Sequence, residues 1–174
     1  MTLFPTPVQY IKHYGIFDLP GFYKMIYNWL VDRGFEVQEK KLKHKVPTPA
    51  GEEDEIWWSA WINETEYIRN WIHIVFFFYD IKEVDVVKDG VKKKMTRARI
   101  LIELKGEFET DWQGKWQRSK FLSNLQKFYE KYVIKKDINN IWEDKLYYNM
   151  LKLHASMKEY LDQEAKSNAF HDVW

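Results

Sequence analysis

The feature that most constrains the fold is a pair of long alternating segments, residues 67–87 and 91–110, separated by Asp89 and Gly90. Apolar residues at every second position indicate strands. An Asp-Gly pair between two such segments is typical of a two-residue hairpin loop, because both loop positions accept a positive φ. The sequence therefore predicts an antiparallel hairpin of two long strands, and Asp80 marks the point in the first strand where a bulge would enter.

The loop also predicts the register of this hairpin. If Lys88 faces Val91, then Phe77 faces Ile102, and apolar side chains pair along one face of both strands. A shift of one residue would turn this row to the opposite face. A strand that is apolar on both faces is typical of the covered centre of a sheet. The first strand of the hairpin is such a strand, because its opposite face is also apolar, at Ile72, Ile74, Phe76 and Phe78.

Two further strands precede the hairpin, over residues 35–46 and 56–62. Residues 7–14 add either a short fifth strand or an extended arm. Between residues 7–14 and the strand that begins at residue 35, the sequence predicts a helix. Asp18 is typical of its N-cap and Pro20 of its first turn.

Two C-terminal helices are predicted over residues 114–134 and 138–164. We expect one or two of the three predicted helices to pack on the main face of the sheet, which is the face of the row that contains Phe77. The first of them carries a wide apolar arc, made of Phe121, Leu122, Leu125, Phe128, Tyr129 and Tyr132. The chain is thus predicted to form a single α+β domain over residues 1–174. Its antiparallel meander has four strands, or five with the N-terminal one, together with one N-terminal and two C-terminal helices.

The composition excludes several classes of protein. The chain has no cysteine, which excludes disulfides, thiolate metal sites and thiol nucleophiles. Its formal net charge of +1 argues against a general nucleic-acid binder, which is usually strongly basic. The longest apolar stretch, residues 72–79, is far shorter than the ~20 residues of a membrane-spanning helix. Residues 1–5 lack the basic segment of a signal peptide. We therefore expect a cytoplasmic protein with no transmembrane segment.

No motif in the sequence indicates catalysis. Metal-ligand spacings of histidine, nucleotide-binding glycine loops and nucleophile elbows are all missing. Glu107, Glu109 and Asp111 alternate along one strand and are weak candidates for a divalent cation, but a solvated strand end is the favoured explanation. The sequence predicts no catalytic residue, no metal and no cofactor. It favours a non-enzymatic protein, although a catalytic site built from distant residues would leave no such motif.

The aromatic content indicates a binding surface. Nine tryptophans and 18% aromatic residues supply enough rigid apolar area for both a core and an aromatic surface. Pairing Ile62 with Tyr67 puts two of these tryptophans on the same face as the second apolar row. We expect a non-catalytic protein-binding or self-assembly module, which contacts a protein partner or a second copy of itself. The predicted contact residues are Trp57, Trp61, Ile72, Ile74, Phe76 and Phe78.

Segments near both ends of the chain carry a resemblance to other proteins. Residues 15–23 (Gly-Ile-Phe-Asp-Leu-Pro-Gly-Phe-Tyr), 152–154 (Lys-Leu-His) and 158–161 (Lys-Glu-Tyr-Leu) resemble parts of small, uncharacterised, single-domain α+β proteins common in archaeal genomes. Those proteins are rich in Lys, Glu, Tyr and Trp. The resemblance implies no activity.

The order of the elements is also loosely similar to that of helix-grip lipid-binding domains. This similarity implies an alternative function, in which the protein carries an apolar small molecule or a lipid between the sheet and the C-terminal helix. The polar residues that would bind such a ligand are His73, Tyr79 and His154.

Overall fold

A computed structural model describes residues 2–48, 51–88, 91–133 and 138–162 of the chain. It contains one antiparallel sheet, one N-terminal helix and two C-terminal helical regions. The predicted α+β class is therefore confirmed.

The sheet has six strands rather than the four or five predicted. They are β1 (Thr2–Pro5), β2 (Gln9–Phe17), β3 (Glu36–Thr48), β4 (Gly51–Asn63), β5 (Ile68–Lys88) and β6 (Val91–Thr110). Their order is β1-β6-β5-β4-β3, and β2 also pairs with β6. Strand β6 is long enough to pair with β1 over residues 107–110 and with β2 over residues 96–104. A strand as short as β1 leaves no readable alternation in the sequence.

The helical elements lie close to the predicted positions, but the C-terminal ones are subdivided. They are α1 (Leu19–Val31), a 3-10 turn (Lys115–Arg118), α2 (Lys120–Phe128), a π-helical stretch (Tyr129–Val133), a second π-helical stretch (Ile138–Glu143) and α3 (Asp144–Tyr160). Asp18 is the N-cap of α1, as predicted, and its Oδ1 accepts a hydrogen bond of 3.1 Å from the Gly21 amide. Among the described helices, none combines the length and the apolar character that crossing a membrane requires.

A β-bulge in β5 changes the predicted register. Lys82 pairs with Arg97, as predicted, but Tyr79 pairs with Arg99, which is one residue away from its predicted partner. Asp80 lies between them with a φ of 59° and adds one residue to β5. Beyond the bulge, the even-numbered residues of β5 share a face with the even-numbered residues of β6. The predicted loop at positions 89 and 90 lies outside the described residues.

The inner face of the sheet, which we define as the face covered by α1 and α3, holds the core. The β5 residues Ile72, Ile74, Phe76 and Phe78 point to this face and are at most 1% exposed. The ring of Tyr23 on α1 packs edge-on against both phenylalanines. These four residues are therefore part of the core and are not available to a partner, which corrects the predicted contact surface.

Helix α3 approaches the sheet closely at Gly106. A Cβ atom at this position would collide with the Sδ atom of Met150 and crowd the hydroxyl of Thr6, so a larger residue would require these side chains to shift. The α3 residues that face the sheet are fully buried, namely Leu146, Met150, Leu153 and Met157. Helix α2 behaves differently, because Phe121 and Phe128 of its apolar arc are 74% and 56% exposed. Of the two C-terminal helices, only α3 packs its apolar stripe on the sheet, and it does so on the inner face, which is opposite to the predicted main face containing Phe77.

Candidate functional site

The outer face of the sheet, which neither α1 nor α3 covers, carries a group of aromatic and apolar side chains. On β4, β5 and β6 these are Trp57, Trp61, Trp71, Val75, Phe77, Tyr79 and Leu101. Trp57 pairs with Val75, and Trp61 pairs with Trp71. Both tryptophans predicted to contact a partner therefore lie here, and the sheet separates them from the other four predicted residues.

The hairpin formed by β4 and β5 explains why the predicted contact residues are divided between the two faces. Ile62 pairs with Asn70 rather than with Tyr67, so the connection between β4 and β5 is longer than predicted. The hydroxyl of Thr65 accepts hydrogen bonds from the amides of Tyr67 and Ile68 at 3.1 and 2.9 Å. This local hydrogen bonding stabilises the longer turn and changes the face on which the tryptophans lie.

Trp57 is the most accessible of the outer-face tryptophans that were predicted to bind. It is 40% exposed, and its indole Nε1 donates a hydrogen bond of 2.7 Å to Glu55. Its cross-strand neighbour Val75 is only 4% exposed. The large side chains of the outer face therefore cover their smaller neighbours and form a continuous apolar layer on this side of the sheet.

A group of closely packed rings extends this layer towards one end of the sheet. The Trp61 and Trp71 rings lie 5.4 Å apart between centroids, and the Trp71 ring stacks on His73 at 5.8 Å with planes 13° apart. The cationic groups of Lys40 and Arg69 lie 5.4 and 5.6 Å from the Trp71 ring centroid. Cation–π contacts at these distances hold the indole in place at the surface.

His73 joins two neighbouring strands through polar contacts. Its Nδ1 atom lies 2.8 Å from Ser59 Oγ, and its Nε2 atom lies 3.9 Å from a carboxylate oxygen of Glu107. Burial lowers the pKa of His73, Glu107 opposes this effect, and the nearby Lys40 and Lys105 add to it. The imidazole is therefore neutral near pH 7.

A serine, a histidine and a glutamate in this order invite comparison with a hydrolase triad. No sequence motif indicates this group, because the three residues lie on different strands. A nucleophilic hydroxyl must be accessible to its substrate. Ser59 is only 3% exposed, and the contact between His73 and Glu107 is longer than a hydrogen bond. The arrangement orients a neutral imidazole on the outer face rather than exposing a nucleophile.

The charged side chains around the aromatic group have both signs. Lys105 and Glu103 form an ion pair of 3.0 Å, and Arg99 and Asp80 form one of 3.4 Å. The rim of the outer face therefore has no single dominant charge.

The three residues predicted to hold a carried ligand do not converge. His73 and Tyr79 lie on the outer face. His154 lies on α3, on the other side of the sheet, where its Nε2 atom is 3.2 Å from the carbonyl oxygen of Tyr10. The fully buried side chains of α3 fill the space between that helix and the sheet.

The three weak metal candidates each have another structural role. Glu107 faces His73, and Glu109 accepts a hydrogen bond of 2.8 Å from Trp71 Nε1. The carboxylate of Asp111, which is 2% exposed, accepts hydrogen bonds from the Trp116 amide at 3.2 and 3.3 Å. Within the part of the chain that the structure describes, no three His, Asp or Glu side chains are grouped so as to hold a metal ion.

Comparisons with known proteins add little to this geometry. No protein-family model and no curated protein matches the chain. Among solved structures, the chain is similar to an uncharacterised protein from Rhizobium leguminosarum, with 7% sequence identity over 94% of this chain and 100% of that one. The TM-score of that match is 0.24, which carries no argument about fold or function.

Proposed function

We propose that the protein is a non-catalytic binding module that uses the outer face of its sheet to contact another folded protein. The observation that carries this proposal is the aromatic layer of Trp57, Trp61 and Trp71 on a face that neither α1 nor α3 covers, in which Trp57 is exposed and the other two are half-buried. Tryptophan side chains supply large rigid contact areas and dominate the energy of many interfaces.

The mixed charge of the rim favours a protein over a nucleic acid as the partner. Glu103 and Glu107 would repel a phosphate backbone, whereas the ion-paired Lys105 offers little net positive charge to attract one. A charged rim around an aromatic centre is the usual anatomy of a protein–protein interface. Because the rim carries both signs, a second copy related by a two-fold axis can pair opposite charges, so self-association is the first partner to test.

The test compares Trp57→Ala with Tyr27→Ala by sedimentation equilibrium at micromolar concentrations. Tyr27 is a matched control, because it is 48% exposed and lies on α1, away from the outer face. Removal of a central tryptophan costs about 2 kcal/mol or more, which corresponds to a roughly thirty-fold weaker self-association. The control should associate as the wild-type chain does.

Two results together would overturn the proposal. The first is a wild-type chain that stays monomeric throughout the concentration range. The second is that no protein is captured by the wild-type chain and lost by the Trp57→Ala chain. A dimer that Trp57→Ala leaves intact would equally exclude the outer face as its interface.

A further inference from the structure

Helix α2 and the π-helical stretch that follows it present an apolar stripe to solvent. Phe121, Leu125, Phe128 and Tyr132 recur at helical spacing and are 74%, 41%, 56% and 64% exposed. The Phe128 and Tyr132 rings lie 5.0 Å apart, so the stripe is continuous along the helix. A surface helix of a globular protein normally buries such a stripe against the core.

The polar side of the same helix is the side that contacts the sheet. Gln126 is 4% exposed, and its Nε2 atom donates a hydrogen bond of 2.8 Å to Glu130. The carboxylate of Glu130 also accepts hydrogen bonds from Tyr67 and Thr110, at 2.8 and 2.6 Å. These contacts fix the orientation of the helix, so its apolar stripe points away from the protein.

The charge of this region has one dominant sign. Between residues 115 and 133 the chain contains one acidic residue, Glu130, whose carboxylate accepts the hydrogen bonds described above. The same range contains five basic residues, which are Lys115, Arg118, Lys120, Lys127 and Lys131. Lys115 contacts Glu66 at 3.3 Å. The exposed Lys120, Lys127 and Lys131 flank the apolar stripe.

From this combination we propose that residues 115–133 dock onto an anionic lipid surface, with the apolar stripe in the interfacial region and the lysines against the headgroups. An amphipathic helix with aromatic residues on one side and lysines beside them binds in this way. A second copy of the chain is disfavoured as the occupant, because it would bring two sets of lysines together. This inference does not depend on the proposed function of the outer face.

The test is co-sedimentation of the full chain with vesicles of phosphatidylcholine, with or without phosphatidylserine. The wild-type chain should pellet with the mixed vesicles and remain soluble with the neutral ones. Replacing two lysines by Lys120→Gln and Lys127→Gln should weaken binding about thirty-fold, as about 1 kcal/mol per lysine implies. The matched control changes two exposed lysines elsewhere, Lys24→Gln and Lys92→Gln, and should bind as the wild type does.

A site-specific label distinguishes insertion of the stripe from loose adsorption. Because the chain has no cysteine, Leu125→Cys can carry an environment-sensitive fluorophore as the only label. Its emission should shift to shorter wavelength with the mixed vesicles, whereas the same label at Tyr27→Cys should show no shift. Because the labelled chain keeps all of its lysines, this measurement tests the inference even if a lysine variant is less stable than the wild type.

Three results would overturn the inference. They are equal binding to neutral and mixed vesicles, no shift of the label at position 125, and a dimer formed through α2 in the absence of vesicles. Trp57→Ala should leave vesicle binding unchanged. The lipid-binding inference and the protein-binding proposal can therefore fail independently of each other.

Discussion

At the scale of single residues, Glu130 connects the C-terminal helical region to the sheet. Besides the donors on Tyr67, Thr110 and Gln126, the hydroxyl of Thr2 donates to its carboxylate at 3.2 Å. Burial acts to raise the pKa of Glu130, but the hydrogen bonds outweigh it and hold the pKa below its ordinary value. The ionised carboxylate is therefore a structural acceptor in the folded chain.

Glu130→Ala should lower the free energy of unfolding by about 2 kcal/mol, because several partly buried donors lose their acceptor. Glu130→Gln keeps one acceptor oxygen and should lose less. Glu83→Ala is the control, because Glu83 forms an exposed ion pair with Lys94 that should contribute less than about 1 kcal/mol. Urea unfolding measures all three variants. Equal losses for Glu130→Ala and Glu83→Ala would show that Glu130 has no special structural role.

At the scale of elements, the bulge at Asp80 determines which face of β5 is buried. Asp80→Val places a β-branched residue at a φ of 59° and should be less stable than Asp80→Gly by about 1–2 kcal/mol. Both variants lose the ion pair with Arg99, so the difference between them isolates the backbone strain. Chemical denaturation gives the two stabilities. Equal free energies of unfolding for the two variants would show that the fold does not require a positive φ at position 80.

The same element shows how far the sequence predicts the fold. The alternating pattern and the N-cap at Asp18 correctly predict β3 to β6 and the start of α1. Periodicity does not show where an extra residue enters a strand, and Asp80 was the only local sign of the bulge. The bulge places the four predicted contact residues of β5 on the same face as the apolar residues of β6, where the helices cover them. The longer connection between β4 and β5 is what leaves Trp57 and Trp61 on the outer face.

The orientation of α2 was also beyond local sequence signals. Its periodicity reveals an apolar side but not the direction in which that side points. The direction depends on Glu130 and Gln126, and two of the Glu130 donors, Thr2 and Tyr67, are distant in the sequence. Contacts of this kind follow from the tertiary structure, so the sequence alone does not show that this helix leaves its apolar side in solvent.

At the scale of the whole molecule, two uncovered apolar surfaces differ in their charge. The outer face around Trp57 has a rim of both signs, which suits another protein. The stripe on α2 is flanked by lysines alone, which suits anionic lipid. Because the two surfaces lie on different elements, the proposed binding of a protein and the proposed binding of a lipid surface do not compete for the same residues, and we expect single substitutions to separate them.

Burial of histidines makes the stability of the whole molecule depend on pH. Burial lowers the pKa of His13, His73 and His154 from the ordinary value of 6.5. As the pH falls through 6.5, the unfolded chain therefore binds more protons than the folded chain, and stability falls. Below the folded-state pKa values these groups cause no further loss. Asp18 and Glu130, whose pKa values are lowered from 3.8 and 4.5, lose their stabilising contributions only in more acidic solution.

The melting temperature should thus decrease between about pH 7 and about pH 5, where ordinary carboxylates are still ionised. His73→Gln removes one of the titrating groups and keeps a side chain that can hydrogen-bond to Ser59, so its melting temperature should depend less steeply on pH. Lys24→Gln changes an exposed side chain and should keep the wild-type slope. A melting temperature that stays constant or rises as the pH falls through 6.5 would show that these imidazoles are not held neutral by burial, since only a neutral buried histidine opposes folding when it takes up a proton.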